Sequence, residues 1–187
     1  MPPLTEQAHD IIRQAVRAGD TVIDATAGNG YDTIFLSRLV GPSGEVFSFD
    51  VQQTAINRTR EQLDAEGLTN VTLLHRDHAA MSEIIPERHH GQVAAVMFNL
   101  GYLPGGDTLV TTRANQTVTS IAAALKLLRP QGVLTVIAYI GHVGGLDEAT
   151  AVERLLRGLE HEEFEDQRPE ADSLRPASPR LFTVTKH

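Results

Sequence analysis

The sequence contains no cysteine and no long uncharged apolar run. The absence of cysteine excludes disulfides, thiolate metal sites and cysteine nucleophiles, although it says little about the redox compartment. No apolar run could span a bilayer, and residues 1–20 lack the apolar core of a signal peptide. We therefore expect a cytoplasmic protein with no membrane partner. Its 187 residues suit a single α/β domain covering residues 1–187.

Basic residues are also scarce, since 16 Lys and Arg stand against 24 Asp and Glu, which gives a net charge of −8. Proteins that bind polyanions usually carry a clear basic face, whereas the basic residues here fall in short, separate clusters. A long basic groove for nucleic acid is therefore not predicted. A local basic patch, or one completed by the second subunit of a homodimer, stays open.

Apolar strands alternate with amphipathic helices along the chain. The predicted strands are Thr21–Asp24, Glu45–Asp50, Val71–His75, Val93–Asn99, Val133–Tyr139, Glu163–Gln167 and Leu181–Thr185. The predicted helices are Leu4–Ala18, Tyr31–Val40, Gln53–Glu66, Ala79–Ile85, Asn115–Leu128 and Asp147–Leu159. This alternation predicts a Rossmann-like, doubly wound α/β fold: a mainly parallel seven-stranded sheet with an antiparallel C-terminal strand. Ligands of such sheets bind outside the carboxyl ends of the strands.

The first predicted strand runs into a Gly-x-Gly turn at Gly28 and Gly30 and then into a helix. Glycines at this point let the backbone bend sharply and let a ligand approach closely. A dinucleotide site would place a third glycine at position 33, which is Thr33. An acidic residue ahead of the glycines, Asp24, is typical of methyltransferases instead. Alone, the motif is equally consistent with a plain tight turn.

Polar side chains follow the second and third predicted strands. A carboxylate at Asp50 could accept both hydrogen bonds of a ribose diol, and Gln52 could touch the same nucleoside. Asp77 could reach an adenine amine, although it is equally a helix N-cap, and both roles can coexist. His75 and His78 lie close together without a partner cluster, so we predict no metal site.

Two glycine-rich loops follow the fourth and fifth predicted strands, at Asn99–Asp107 and Tyr139–Gly145. In the first, the amide of Asn99 could orient a nucleophile, and the ring of Tyr102 could stack on a base or on a cation. In the second, His142 is the candidate general base, because imidazole titrates near neutrality. Tyr139 precedes it and is a candidate substrate contact.

Four segments together resemble a bacterial family of rRNA methylases, of the class I methyltransferases that use S-adenosylmethionine (SAM). They are Asp24–Thr33, Phe49–Gln52, Phe98–Asp107 and Gly141–Gly145. The resemblance covers nearly the whole chain. It implies SAM as cofactor, S-adenosylhomocysteine (SAH) as product, and a tRNA substrate, because characterised members methylate the amine of 5-aminomethyl-2-thiouridine at the tRNA wobble position.

The resemblance also implies which residues form the site. The resemblance implies SAM contacts at Asn29, Asp32, Asp50, Gln52, Asp77 and His78, and the strand-end motifs add Asp24, Gly28, Gly30 and Asn99 to the predicted cofactor side. The resemblance implies a substrate side at Asn99, Tyr102, Pro104, Asp107 and His142, and the loop after the fifth strand adds Tyr139. The catalytic candidates are His142, Asn99 and Tyr102. The chain departs from the family between residues 172 and 180, and at Ala27, where the family often has cysteine.

Three other functions remain open at this point. A SAM-dependent methyltransferase could act on rRNA, a small molecule or a protein, which the acidic charge favours. A non-catalytic module could sense SAM, although the crowded loop after the fourth strand would then have no purpose. An NAD-linked oxidoreductase is disfavoured by Thr33 and by the lack of an Asp/Lys/Tyr hydride-transfer set.

Overall fold

A computed structural model describes residues 2–103, 105, 111–159, 161–167 and 178–187. The strands are β1 Thr21–Asp24, β2 Glu45–Asp50, β3 Val71–His75, β4 Val93–Leu100, β5 Leu128–Ala138, β6 Phe164–Gln167 and β7 Arg180–Lys186. The α-helices are α1 Leu4–Ala15, α2 Tyr31–Val40, α3 Gln53–Glu66, α4 Met81–Ile84, α5 Ala114–Leu127 and α6 Gly145–Arg157. Short 3₁₀ helices cover His78–Ala80 and Glu87–His89.

The seven strands form one sheet in the order β3-β2-β1-β4-β5-β7-β6. Strands β3, β2, β1, β4 and β5 pair in parallel, and β7 is antiparallel to both of its neighbours. The predicted fold is therefore confirmed. The chain reverses its direction of winding between β1 and β4, and ligands of doubly wound sheets bind at such a switch point.

Both faces of the sheet are buried, as expected of a doubly wound fold. Val96, Phe98 and Leu100 of β4 pack into a core with α4, α5 and α6. Ala95 and Met97 point to the other face, where α1 and α2 pack. This burial explains why β4 is a continuous apolar run in the sequence. None of the helices in the described ranges is long and apolar enough to cross a membrane.

Several element boundaries differ from the prediction by one or two residues, and those of α1 and β5 differ by more. Helix α1 ends at Ala15 rather than Ala18, because Val16 is extended and the Arg17 guanidinium donates to the carbonyl oxygens of Gln14 and Val16. Strand β5 begins at Leu128, which pairs with Val93 at the start of β4. Pro130, Gln131 and Gly132, which lie between the predicted helix and the predicted strand, form an irregularity inside β5, with Gln131 at φ 62°.

Candidate functional site

A cavity of about 520 Å³ opens at the carboxyl edge of the sheet, over the switch point between β1 and β4. Its walls come from the segments that follow β1 to β5, together with Thr5 of α1 and Pro179 ahead of β7. The volume lies within the usual range for small-molecule sites. Of the predicted site residues, those that line it are Gly28, Asn29, Asp32, Asp50, Gln52, Asp77, His78, Asn99, Tyr102, Tyr139 and His142.

Asp24 lies behind the cavity rather than in its wall. The side chain is fully buried, and its carboxylate accepts hydrogen bonds from the Thr26 amide at 3.0 Å and the Thr33 hydroxyl at 2.5 Å. Thr33 also bonds the hydroxyl of Ser48 on β2. This carboxylate braces the turn from inside, and the direct cofactor contact of Asp24 stays a prediction. Thr33 lies at the position where a dinucleotide site would have its third glycine, and it forms a buried hydrogen-bonded group with Asp24 and Ser48.

Gly30 is likewise absent from the cavity wall, and its assignment as a cofactor contact stays a prediction. It has φ 85° and caps α2, and a Cβ at this position would approach Thr59 of α3 to within 3.0 to 3.2 Å. The left-handed conformation and this tight contact both favour glycine. Gly30 therefore sets the packing of the loop against α3.

Burial, and then the nearby Asp32 carboxylate, raise the pKa of Asp24 to about 7 from its ordinary 3.8. A raised folded-state pKa adds stability below the unfolded value, and that stability is lost as pH rises through the folded value. Between pH 3.8 and about 7, we expect the unfolding free energy of the wild type to fall relative to that of Asp24→Asn. Urea unfolding across this range measures the difference. Parallel profiles for the two proteins would contradict the assignment.

Asp50 closes the cavity at the end of β2. One carboxylate oxygen accepts the Gly28 amide at 2.9 Å, and the other accepts the Gln52 amide at 2.8 Å. Each oxygen keeps a second lone pair, so the carboxylate can still accept hydrogen bonds from a ligand. Burial raises the pKa of Asp50, against the opposing effect of the two amides. Asp50 thus joins the glycine turn to β2 while facing the cavity.

Asp77 and His78 form the wall beyond β3. Asp77 accepts a hydrogen bond from the Ala79 amide at 2.8 Å, which caps the 3₁₀ helix, and another from the Gln116 side-chain amide at 2.6 Å. It therefore has the predicted N-cap role and also lines the cavity. The imidazole Nδ1 of His78 lies 3.0 Å from the Ala25 carbonyl oxygen. This hydrogen bond joins the segment after β3 to the segment after β1 and holds the imidazole ring in the cavity wall.

An arginine joins the cofactor-side loop to the loop after β4. Arg58 on α3 donates to Oδ1 of Asn29 and to the carbonyl of Gly105, each at 3.1 Å. Gln62, one turn further along α3, donates to the Asn29 carbonyl at 2.7 Å. Helix α3 thereby fixes the relative position of two cavity walls that are distant in sequence.

A chain of three polar side chains crosses the switch point. The Asn99 amide nitrogen donates to one oxygen of Asp32, and Nε2 of His9 lies 2.6 Å from the other oxygen. His9 stacks on Phe35 with ring centroids 3.7 Å apart. Because Asp32 accepts from the Asn99 nitrogen, the Asn99 Oδ1 points away from it; this buried oxygen has no hydrogen-bond partner among the described residues.

The loop after β4 is anchored at both of its described ends. The Asn99 backbone amide donates to the Thr26 hydroxyl at 2.7 Å, and Tyr102 forms a bridge with Thr111. The Thr112 hydroxyl donates at 2.7 Å to Glu148, a buried carboxylate in the first turn of α6. The predicted substrate contacts Pro104 and Asp107, and most of the divergent 172–180 stretch, lie outside the described residues.

His142 lies in the cavity wall, with its ring edge-on to Tyr102 at 6.2 Å between centroids. Its Nδ1 lies 3.1 Å from the Val143 carbonyl, so Nδ1 carries the proton in the neutral ring and Nε2 is the basic nitrogen. Nε2 is enclosed, and a Cβ on Gly145 would come within 2.9 Å of it. The ring must rotate before Nε2 can take a proton from a molecule in the cavity. Burial, and then the Asp32 carboxylate, raise the pKa of Tyr139.

The cavity wall is acidic. Its described residues include three aspartates, Asp32, Asp50 and Asp77, and neither a lysine nor an arginine. A dinucleotide pyrophosphate would be repelled by this wall, whereas a sulfonium or an ammonium would be attracted. No group of three or more His, Asp or Glu side chains in the described part of the chain could hold a metal ion.

Sequence reasoning missed His9 and Gln116. His9 lies on α1, far from any strand end, and reaches the site only because α1 packs on the sheet beside α2. Gln116 lies in the first turn of α5 and reaches Asp77. The sequence carried a weak signal for His9 alone, as a polar residue between the buried Ala8 and Ile12 of an amphipathic helix.

Comparison with known proteins identifies the family. The family model described as "Putative rRNA methylase" matches residues 46–184. The chain belongs to this family. It is a SAM-dependent methyltransferase. A model for protein-L-isoaspartate O-methyltransferases also matches residues 2–81, the part that carries β1 to β3.

Three relatives indicate how far the similarity extends. A chloroplastic tRNA (mnm(5)s(2)U34)-methyltransferase of Arabidopsis thaliana is 42% identical over 83% of this chain, which spans 59% of that protein's length. An rRNA methylase structure from Clostridium thermocellum has a TM-score of 0.94 and 39% identity, and covers 100% of this chain and 99% of that one. A Streptococcus mutans methyltransferase in complex with SAH has a TM-score of 0.88 and 32% identity, with the same two coverages.

Proposed function

We propose that this methyltransferase methylates the amine of a 5-aminomethyl-(2-thio)uridine at the wobble position of tRNA. The 42% identity to a chloroplastic tRNA (mnm(5)s(2)U34)-methyltransferase supports the substrate. The observation that carries the chemistry is the acidic cavity wall, which includes Asn99. The Asn99 Oδ1 has no hydrogen-bond partner among the described residues and is enclosed, so the side chain has to shift before this oxygen accepts from a ligand. An acidic wall favours cationic ligands, and an amide oxygen accepts a hydrogen bond from an N–H group. We place this activity in the cytoplasm.

The residues of the cavity fit SAM. Asp50 would hold the ribose, Asp77 and Gln52 would lie near the adenine, and Gly28, Asn29 and Asp32 would line the remaining side. When bound, SAM supplies a methyl group on a sulfonium. The repulsion of a pyrophosphate by the aspartates speaks against an NAD-linked reaction.

The chain's own residues have to present a neutral amine. A lysine-like amine has an ordinary pKa near 10.4, so removing its proton at pH 7 costs about 4–5 kcal/mol. A partly apolar cavity and a nearby positive charge both lower an amine pKa. Asp32 favours the competing ammonium, and its hydrogen bonds with His9 and Asn99 offset only part of that effect. Orientation of the nitrogen by Asn99 supplies the remaining contribution.

Titration calorimetry with SAM, with NAD as the comparison ligand, tests the cofactor. Methyl transfer is then measured on tRNA carrying 5-aminomethyluridine and on the same tRNA without the modification. We expect SAM binding, no NAD binding and transfer to the aminomethyl tRNA alone. SAM binding without transfer would refute the wobble-uridine substrate, and absence of SAM binding would refute the cofactor site.

His142 is proposed to take the proton that the methylated amine releases. His142→Ala is expected to lower kcat by about 10- to 100-fold, at the low end of general-base effects because water can replace the imidazole. The SAM dissociation constant should stay nearly unchanged. The matched control is His161→Ala, which removes an exposed histidine outside the cavity wall. An equal loss of turnover and of cofactor affinity would refute the role.

A further inference from the structure

Large apolar side chains are exposed in one region of the described structure. All six belong to the loops or first helical turns that follow β1, β2, β4 and β5, beside the cavity mouth. We call this set the rim; its members are Tyr31, Val51, Tyr102, Tyr139, Val143 and Leu146. Single exposed apolar residues scattered over a surface are ordinary, whereas their concentration at one edge marks a contact surface.

The rim contains every tyrosine of the chain, which has three. Tyr31 is 72% exposed, Tyr102 47% and Tyr139 40%, and all three also line the cavity. Aromatic faces at such a mouth can stack on unpaired nucleobases, a contact that tolerates any base because every base has a π face. A purely aliphatic rim would indicate a protein partner instead.

Several arginines near the rim form no ion pair with a carboxylate in the described ranges, although Arg17, Arg60 and Arg154 also form none. Arg58, Arg76 and Arg113 follow β2, β3 and β4 at the same edge, and none forms an ion pair with a carboxylate in the described ranges. The arginines that do pair with Asp or Glu are Arg13, Arg38, Arg88, Arg129, Arg157 and Arg180. Positive charge is therefore available for phosphates at this edge, although the whole chain has a net charge of −8.

We propose that the rim docks a single-stranded RNA loop, whose unstacked bases stack on the tyrosines while Arg76 and Arg113 contact its phosphates. The proposal rests on the proposed function, which requires a nucleotide to enter the cavity. A few unpaired arginines suit the few phosphates of a loop. A long duplex would meet the acidic remainder of the surface.

Binding of an RNA hairpin with a tRNA anticodon-loop sequence, in the presence of SAH, tests the stacking. A fully paired RNA duplex of equal length is the comparison probe. The hairpin should bind more tightly than the duplex. Tyr31→Ala should weaken hairpin binding by about 5- to 100-fold, and Tyr31→Phe, which keeps the ring, by less than about 2-fold.

The salt dependence of RNA binding tests whether Arg76 and Arg113 contact phosphates. Arg76→Gln and Arg113→Gln should each reduce the slope of log K against log salt concentration by about 0.7, the value for one phosphate contact on a single strand. Arg88→Gln is the matched control, because it removes the same charge from an exposed residue ahead of β4, at the opposite edge. Its slope should equal that of the wild type.

Three results would overturn the proposal: equal affinity for hairpin and duplex, unchanged affinity in Tyr31→Ala, or self-association of the wild type that Tyr31→Ala abolishes. The last would make the rim an interface between copies of this chain. Failure of the proposed function can be distinguished from failure of the RNA-docking proposal. Hairpin binding that depends on Tyr31, without methyl transfer to aminomethyl tRNA, would refute that substrate and retain the rim as an RNA surface.

Discussion

Replacing Asp50 with alanine is expected to weaken SAM binding by about 100-fold. Two ribose hydroxyls that donate to a carboxylate contribute on the order of 1.5–3 kcal/mol each, and part of this is recovered by water. The substitution also removes the acceptor of the Gly28 and Gln52 amides, which joins the glycine turn to β2. The fall in affinity should therefore exceed the loss of ligand contacts alone. Titration calorimetry with SAM and with SAH measures it.

Two variants separate these contributions. Asp50→Asn keeps one oxygen acceptor and should lie between the wild type and Asp50→Ala. Asp64→Ala removes an exposed carboxylate from α3 and should bind SAM as the wild type does, which controls for the change in net charge. Unchanged affinity in Asp50→Ala would refute the ribose assignment.

Replacing Asn99 with alanine is expected to lower kcat by about 100-fold, with a smaller change in SAM affinity. The side chain lies in the cavity wall with an oxygen that has no partner among the described residues and is enclosed until the side chain shifts, and its nitrogen is held by Asp32. Loss of one oriented hydrogen-bonding group at a reacting centre has typically cost other enzymes 10²–10³ in kcat. Single-turnover methyl transfer at saturating SAM measures the chemical step. A larger effect on SAM affinity than on kcat would contradict this role.

His9 provides a test of whether Asn99 is held from outside the cavity. His9→Phe keeps a ring that can stack on Phe35 and removes the hydrogen bond to Asp32. Its kcat should fall in the same direction as that of Asn99→Ala, and the two effects should be non-additive because both act through Asp32. His9→Gln, which retains a donor, should recover most of the activity. Additive losses would show that the two residues act independently.

The sequence predicted the fold well, because both of its signals are local. Continuous apolar strands such as Val93–Asn99 alternate with amphipathic helices, and this pattern admits few topologies once crossovers are right-handed. It also indicated the edge that carries the site. Carboxyl ends of parallel strands meet at one edge regardless of how the core packs in detail, so Asp50, Asp77, Asn99 and His142 line one cavity.

The direction in which individual side chains point was harder to predict from the sequence. Asp24 and Asp50 both end strands, yet the first is enclosed by Thr26, Thr33 and Ser48, whereas the second faces the cavity. A strand offers two faces and an edge, and the choice between them depends on which helix covers each face. That choice follows from contacts between segments far apart in the chain.

By itself, the sequence determined a doubly wound sheet, a ligand site at its carboxyl edge and the polar residues gathered there, since periodicity and strand order suffice for all three. The tertiary structure alone decided that His9 on α1 holds Asp32, that Arg58 on α3 joins two loops, and that Nε2 of His142 is enclosed. These contacts join residues separated by 23 or more positions, or depend on a ring orientation. Only the packing of helices against the finished sheet brings such partners within hydrogen-bonding distance.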